Sequence, residues 1–372
     1  GYEADITEVK GADELYMADG IIAESEKKTE ELFGARKTFY STEGSSQVIK
    51  AMCYLAIQRY YSMREGDSHA RLTGRLNEEK PLILATRNAH QSFIYASMAL
   101  HFNIKWLTDC GKNYSLTKCN ITPEYLDEYL DHFEVGEMPA AIYITSPDYL
   151  GNMLDIKGLS KVVHKYNTLL LCDNAHGAYL KFMEKDMHPI SLGADIVSDS
   201  AHKTLPVLTG GAYMHISKTA PEGIEGDANK ALLMFGSTSP SYMILKCLDE
   251  VTSRISREDY ILAARRVSEL KKKVEALGYN ILGSVNGFNK EGCNKEGCNK
   301  ESCNKENCNK ESCNKESCNK EDFNKEGFNE GNFGEEILSE PLKLVLDLRK
   351  GEKTKITLTA RELANKLREY GV

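Results

Sequence analysis

Residues 140–179 read AAIYITSPDYLGNMLDIKGLSKVVHKYNTLLLCDNAHGAY, and this stretch decides the fold. Two short apolar runs, AAIYITSP (140–147) and TLLLCDNA (168–175), flank the amphipathic segment GLSKVVHKYN (158–167). Apolar runs of this length, bounded by turn residues, are typical of strands that are buried on both faces. The order strand, helix, strand predicts a parallel pair joined by a crossover helix.

The same alternation continues on both sides of this stretch. Helical periodicity covers 24–37, 46–61 and 91–102, and Thr122 followed by Pro123 marks a further helix start. Further apolar runs predict strands over 81–87, 103–108, 194–201 and 210–217. The sequence therefore predicts an α/β fold with a mostly parallel sheet and helices on both faces.

A second, smaller unit is indicated near the end of the chain. The long helical segment 256–277 leads to GYNIL (278–282), and PLKLVLDL (341–348) follows after a long interruption. We interpret these two runs as neighbouring strands that begin a small α+β domain.

Composition excludes several classes of function. The chain has 372 residues and a formal net charge of −8. An acidic protein offers no electrostatic attraction to nucleic acid or to an anionic membrane. No window approaches the roughly 20 apolar residues that a spanning helix needs, so we expect no integral membrane protein and, given the acidic charge, neither membrane nor nucleic-acid partners.

The eleven cysteines divide into two populations. Six recur every five residues inside the repetitive tract 288–332. The others are scattered, several of them inside apolar runs, as expected of reduced core residues of a cytoplasmic protein: Cys53, Cys110, Cys119, Cys172 and Cys247. A period of five builds neither a helical nor a strand face, so the tract is predicted to be a disordered insertion. A soft-metal or thiol array is the alternative, but paired CxxC spacing is missing and we predict no metal site.

The polar residues that end the predicted strands carry the chemistry. Gly44, Ser45 and Ser46 precede a helix and suit a phosphate, because a helix N-terminus presents free amides. Asp173 ends an apolar run, where an ionised carboxylate needs a cationic partner. Lys203 could form a Schiff base, and His90 could stack on a ring or move a proton.

Each of these residues also has an ordinary structural explanation. Gly-Ser turns are common, Asp173 could cap a helix, Lys203 could lie on the surface, and His90 could be a core histidine. Their occurrence together, in order along one predicted sheet edge, favours a functional site, because ligands bind at the carboxyl ends of parallel strands.

The motifs SDSAHKTLP (198–206), CDNAHGAY (172–179), TRNAHQS (86–92), TSPDYLG (145–151) and STSPSY (237–242) resemble the large domain of the ornithine/lysine/arginine decarboxylases. These are pyridoxal-phosphate enzymes with the aspartate-aminotransferase fold. The resemblance covers residues 5 to 280 and resumes at EPLKLVLDL. It implies decarboxylation of a basic amino acid, in a homodimer or higher homo-oligomer.

The resemblance also implies roles for single residues. Lys203 would carry the cofactor, Asp173 would hold its pyridine nitrogen, and His90 would stack on its ring. These three residues would be the catalytic residues. The remaining cofactor-binding residues would pack on the ring (Ala175 and His176), bind the phosphate (Gly44, Ser45, Ser46, Ser200 and His202) or reach the phosphate of a neighbouring subunit (Thr238).

The sequence departs from the family pattern at Glu43, before the phosphate loop, at Gln91, and at Tyr179, where a second histidine is common. By comparison with the family, we expect that its segment before residue 1 and most of its C-terminal domain are missing. We therefore expect a fragment or eroded copy in which cofactor binding is better preserved than turnover. An aminotransferase or lyase of the same fold, or a non-catalytic protein whose cysteine tract binds metal or a partner, are the alternatives.

The resemblance divides the chain into four parts. Residues 1–250 would form the cofactor-binding large domain, and 251–287 the linking helix with the start of the small domain. Residues 288–332 are the insertion, and 333–372 belong to the partial small domain.

Overall fold

The protein is described by a computed structural model over residues 12–64, 80–108, 119–134, 137–276, 280–281 and 339–347. The repetitive tract 288–332, Cys110 and the C-terminal segment 348–372 lie outside the described residues, so the expectations for them stay predictions. Among the described residues, no helix has both the length and the apolar character needed to cross a membrane.

A seven-stranded sheet forms the centre of the molecule. Its strands are β1 (Lys37–Ser41), β2 (Leu82–Thr86), β3 (Asn103–Leu107), β4 (Ala141–Thr145), β5 (Leu169–Asp173), β6 (Ile196–Asp199) and β7 (Ala212–Ile216). They lie in the order β1-β7-β6-β5-β4-β2-β3, and only β7 is antiparallel to its neighbours. The predicted mostly parallel sheet is confirmed.

Helices cover both faces of this sheet. They are α1 (Ile21–Phe33), α2 (Ser45–Arg64), α3 (Gln91–Leu100), α4 (Pro123–Asp131), α5 (Ile156–Lys165), α6 (Pro189–Leu192), α7 (Ala201–Thr204), α8 (Ala228–Met234), α9 (Tyr242–Arg254) and α10 (Arg257–Ala276). Successive strand residues enter different cores: Tyr143 packs in the core with α2 and α3, whereas Ile142 and Ile144 pack in the core with α4 and α5. Burial on both faces explains why these strands are apolar without alternation.

The first predicted helix is shorter than expected. Periodicity suggested a helix over 24–37, but α1 ends at Phe33 because Gly34 adopts the left-handed conformation with φ of 71°. The next strand then begins at Lys37. Helical spacing in the following residues was therefore misleading, and Gly34 was the stop signal.

The chain on either side of the repetitive tract pairs as predicted. Strand β8 (Asn280–Ile281) is antiparallel to β9 (Leu346–Asp347). The long helix α10 precedes β8, in agreement with the helical segment read from 256–277. The described cysteines, Cys53, Cys119, Cys172 and Cys247, are free.

Candidate active site

Three loops at the carboxyl edge of the sheet meet at the N-terminus of α2. Gly44, with φ of 72°, turns the chain from β1 into this helix, which starts at Ser45. Ser200, after β6, donates a hydrogen bond to the Ser45 hydroxyl at 2.8 Å. Ser92, after β2, donates one to the Ser46 hydroxyl at 2.9 Å. The structure thus places four hydroxyls beside a helix N-terminus, where an anion is stabilised.

Asp173 lies at the end of β5, in register with Thr145 of β4 and Ser198 of β6. Its side chain is buried and accepts hydrogen bonds from the Tyr143 hydroxyl at 3.0 Å and the Ala175 amide at 3.1 Å. Burial raises the pKa of Asp173, although both hydrogen bonds and the charges of His90 and Lys203 act in the opposite direction. A cationic N–H donor would stabilise this carboxylate strongly.

Lys203 lies in α7, and its Nζ is 3.2 Å from Nε2 of His176. Desolvation lowers the pKa of Lys203; the nearby charge of Asp173 acts against this shift and that of Lys343 adds to it. Burial, with the charges of Lys203 and Lys343, lowers the pKa of His176 to about 4. His176 is therefore neutral near pH 7, and its Nε2 can accept a hydrogen bond from the lysine.

His90 caps the N-terminus of α3. Its Nδ1 accepts a hydrogen bond from the Ser92 amide at 3.2 Å and lies 2.9 Å from the Ser92 hydroxyl. The imidazole is exposed at the carboxyl edge, and its charge acts on Asp173. Because its contacts with Ser92 hold the ring in place, the imidazole can pack against a planar ligand.

The remaining predicted site residues differ in how well the structure places them. Ala175 is half-buried beside Asp173. His202 is fixed because its Nδ1 lies 3.0 Å from the Gly211 carbonyl oxygen. Thr238 is exposed before α9 and forms no hydrogen bond with the other site residues in the described chain. Glu43 is also exposed.

Two residues of the site were missed from the sequence. Tyr143 lies inside an apolar strand, stacked on Phe93 with ring centroids 4.1 Å apart, and only its contact with Asp173 reveals a role. Asn88 follows β2, and its buried side-chain nitrogen and oxygen have no hydrogen-bond partner within the described chain. Its place in TRNAHQS, just before His90, was the signal that could have found it.

A fully buried polar network lies beneath the ends of β5 and β6. Asp199 accepts hydrogen bonds from Asn174 at 2.7 Å and from Nε2 of His188 at 2.8 Å. Burial alone would raise the pKa of Asp199, but the charge and hydrogen bond of His188 hold it well below its usual value. Asn174 follows Asp173 and Asp199 precedes Ser200, so the network fixes the two strand ends relative to each other.

His188, Asp199 and His215 are also close enough to share a metal ion, since their ligand atoms lie within 4.8 Å of one another. His188 is already engaged, because its Nδ1 accepts from the Ile190 amide and its Nε2 contacts Asp199. We therefore interpret the group as a hydrogen-bonded support. The expected lack of a metal site stays a prediction.

A family model described as "Orn/Lys/Arg decarboxylase, major domain" matches residues 2–372. The chain belongs to this family. The resemblance read from the strand-end motifs is confirmed, and family membership implies pyridoxal phosphate as the cofactor.

The curated relatives of this family member are distant. An uncharacterised protein, YaaO, of Bacillus subtilis (strain 168) is 26% identical over 280 residues, or 73% of this chain and 52% of that protein. An arginine decarboxylase of the same strain is 25% identical over 297 residues, or 75% and 54%. The chain thus spans about half the length of these relatives.

Solved structures support the fold. The lysine decarboxylase of Francisella novicida matches with a TM-score of 0.57 at 17% sequence identity, covering 74% of this chain and 38% of that one. The lysine decarboxylase described as the constitutive enzyme of E. coli gives a TM-score of 0.56 at 20% identity. At such low identity the likeness shows the fold alone.

The residues present fit pyridoxal phosphate. Asp173 is a buried carboxylate that no salt bridge reaches within the described chain, and Asn88 has two orphaned polar atoms at the same edge. The hydroxyls around Ser45 suit its phosphate, and Lys203 suits its aldehyde carbon. These four features come from different strand ends, so their convergence is not a property of one local turn.

Proposed function

We propose that this chain catalyses the pyridoxal-phosphate-dependent decarboxylation of a basic amino acid, namely lysine, ornithine or arginine, to the corresponding amine. The observation that carries the proposal is the convergence of Asp173, Lys203 and His90 around the N-terminus of α2. Family membership and the named arginine decarboxylase relatives support the substrate class.

The proposed roles follow from the site's charges. Asp173 would accept a hydrogen bond from a protonated ring nitrogen, which keeps that nitrogen positive. The bound cofactor supplies an electron sink for the bond that breaks when carbon dioxide leaves. Desolvation lowers the pKa of Lys203, so this exposed side chain loses its proton more readily than a fully solvated lysine and would condense with the aldehyde carbon, with release of water.

Two groups are candidates for moving the proton that replaces the carboxylate at the α-carbon. The Lys203 amine would be free to carry this proton while substrate is bound, and His90 presents an exposed imidazole at the same edge. Neutral His176 would hold Lys203 in place, because its Nε2 lies 3.2 Å from the lysine Nζ.

The proposed active unit is a homodimer or larger homo-oligomer. Thr238 is exposed and would complete the phosphate site of a second copy, as the family resemblance implies. Helix α3, which begins at the site, exposes Ile94 (39%), Tyr95 (53%) and Met98 (69%), an apolar face that suits a second subunit. We place the protein in the cytoplasm, in keeping with its free cysteines.

The test is a product assay on the protein loaded with pyridoxal phosphate. Lysine, ornithine and arginine are supplied separately, and carbon dioxide, amine and keto acid are measured. We expect carbon dioxide and amine in equal amounts from one of the three substrates, and loss of both in Asp173→Asn. Keto acid without carbon dioxide would favour an aminotransferase and contradict the proposal.

A further inference from the structure

Lys343 lies at the end of a row of side chains that leads to Lys203. The Lys343 ammonium is 5.3 Å from the centre of the Tyr149 ring. Tyr149 meets His176 edge to face, with centroids 6.2 Å apart, and His176 is 3.2 Å from the Lys203 nitrogen. A residue that follows the repetitive tract is thereby brought beside the candidate active site.

The segment that carries Lys343 is held against the sheet edge by specific contacts. The Glu340 amide donates a hydrogen bond to the Gly151 carbonyl at 2.7 Å, and Ser339 forms a β-bridge with Asn152. The Tyr179 hydroxyl donates to Glu340 Oε1 at 3.1 Å. Tyr179 is thus the departure from the family pattern that anchors this segment.

The charge of Lys343 is only loosely balanced. Its nitrogen is 3.9 Å from Glu340 Oε2, which is beyond hydrogen-bond range, and that buried oxygen has no hydrogen-bond partner within the described chain. The Lys343 side chain is 30% exposed, whereas Glu340 is buried. A cation on a flexible stem with a loose partner can turn to a second acceptor. Its field reaches the site, since Lys343 acts on the pKa values of Lys203 and His176.

We propose that Lys343 binds the α-carboxylate of the amino acid substrate. This inference rests on the proposed function and deepens it. A basic amino acid carries one anionic group, the α-carboxylate, which lies close to the nitrogen that replaces Lys203. His176, between the two lysines, is neutral near pH 7, so Lys343 is the cation in this row that offers a charge-assisted hydrogen bond.

The experiment compares amino acids with the amines that lack their carboxylate. The full chain is loaded with pyridoxal phosphate and rapidly mixed with increasing concentrations of lysine or cadaverine, ornithine or putrescine, and arginine or agmatine. Binding is followed by the change in the cofactor's visible absorbance that precedes turnover. The variants are Lys343→Met, Lys343→Arg and the control Lys271→Met. Lys271 contacts the same segment through the Glu340 carbonyl oxygen, but lies outside the row.

We expect Lys343→Met to weaken binding of the preferred amino acid by about tenfold or more, the loss expected for a charge-assisted hydrogen bond, with binding of its amine changed less than about twofold. Lys343→Arg should still bind the amino acid in preference to its amine, and Lys271→Met should bind both as the wild type does. Equal weakening of amino acid and amine, or no weakening, would overturn the role of Lys343 while leaving the proposed function in place. A wild-type chain that takes up no pyridoxal phosphate would overturn both.

Discussion

Replacing His188 by alanine should lower the free energy of unfolding by about 3 to 5 kcal/mol, the usual cost of leaving a buried carboxylate without its partner, here Asp199. The imidazole is fully buried and packs against Phe33, with ring centroids 5.3 Å apart. Its loss removes a 2.8 Å hydrogen bond to Asp199, worth about 1.5 to 3 kcal/mol, and leaves a cavity that the surrounding core fills only in part. These two costs overlap and do not add.

The assay is urea unfolding of the wild type, His188→Ala, Asp199→Asn and the double variant. Because the two side chains share one network, the double variant should lose less stability than the sum of the single losses, by at least about 1 kcal/mol. A loss below about 1 kcal/mol in His188→Ala, or additive losses in the cycle, would refute the interpretation of a buried supporting pair.

Three further outcomes are expected. Gly44→Val should lower stability by about 1 to 2 kcal/mol and weaken cofactor uptake, because Gly44 has a positive φ that a β-branched residue disfavours. Gly44→Asn should have a smaller effect, since asparagine tolerates this φ and there is open space for a Cβ. Unfolding and absorbance titrations measure the two effects. Tyr179→Phe removes the hydrogen bond from the tyrosine hydroxyl to Glu340, so limited proteolysis should cleave the variant faster within 339–347. The hydrogen bond to Asp195 raises the pKa of His164. The stability that protonated His164 gives the folded state is therefore fully present below about pH 6.5 and is lost as pH rises through the folded-state pKa. In thermal melts, His164→Ala should destabilise the protein more at about pH 5.5 than at about pH 8.5.

The fold was largely predictable because its signals are local. Short apolar runs such as TLLLCD are long enough for a strand and too short for an independent helix, and the cap at Thr122 was read correctly, since its side chain accepts from the Tyr125 amide. The error at residues 34–37 came from extending a helical period past Gly34. Strand order and the antiparallel direction of β7 depend on contacts between distant segments, which periodicity does not report.

The candidate site was predictable only where residues follow strands. Asp173, Lys203 and His90 end apolar runs or follow them closely, so parallel strand packing brings them to one edge. Tyr143 lies within a strand and looks like a core aromatic. Lys343 is distant in sequence and reaches the site because Glu340 and its neighbours dock on residues 151–152. Contacts of this kind are decided by tertiary packing.

The most direct test of the account is the site of covalent attachment of pyridoxal phosphate. The full chain is incubated with the cofactor, reduced with borohydride, digested, and the modified peptide is identified by mass spectrometry, with Lys203→Ala treated in parallel. We expect one dominant modification, at Lys203, which is absent from the variant. Dominant modification at another lysine, or equal total labelling of the variant, would contradict it.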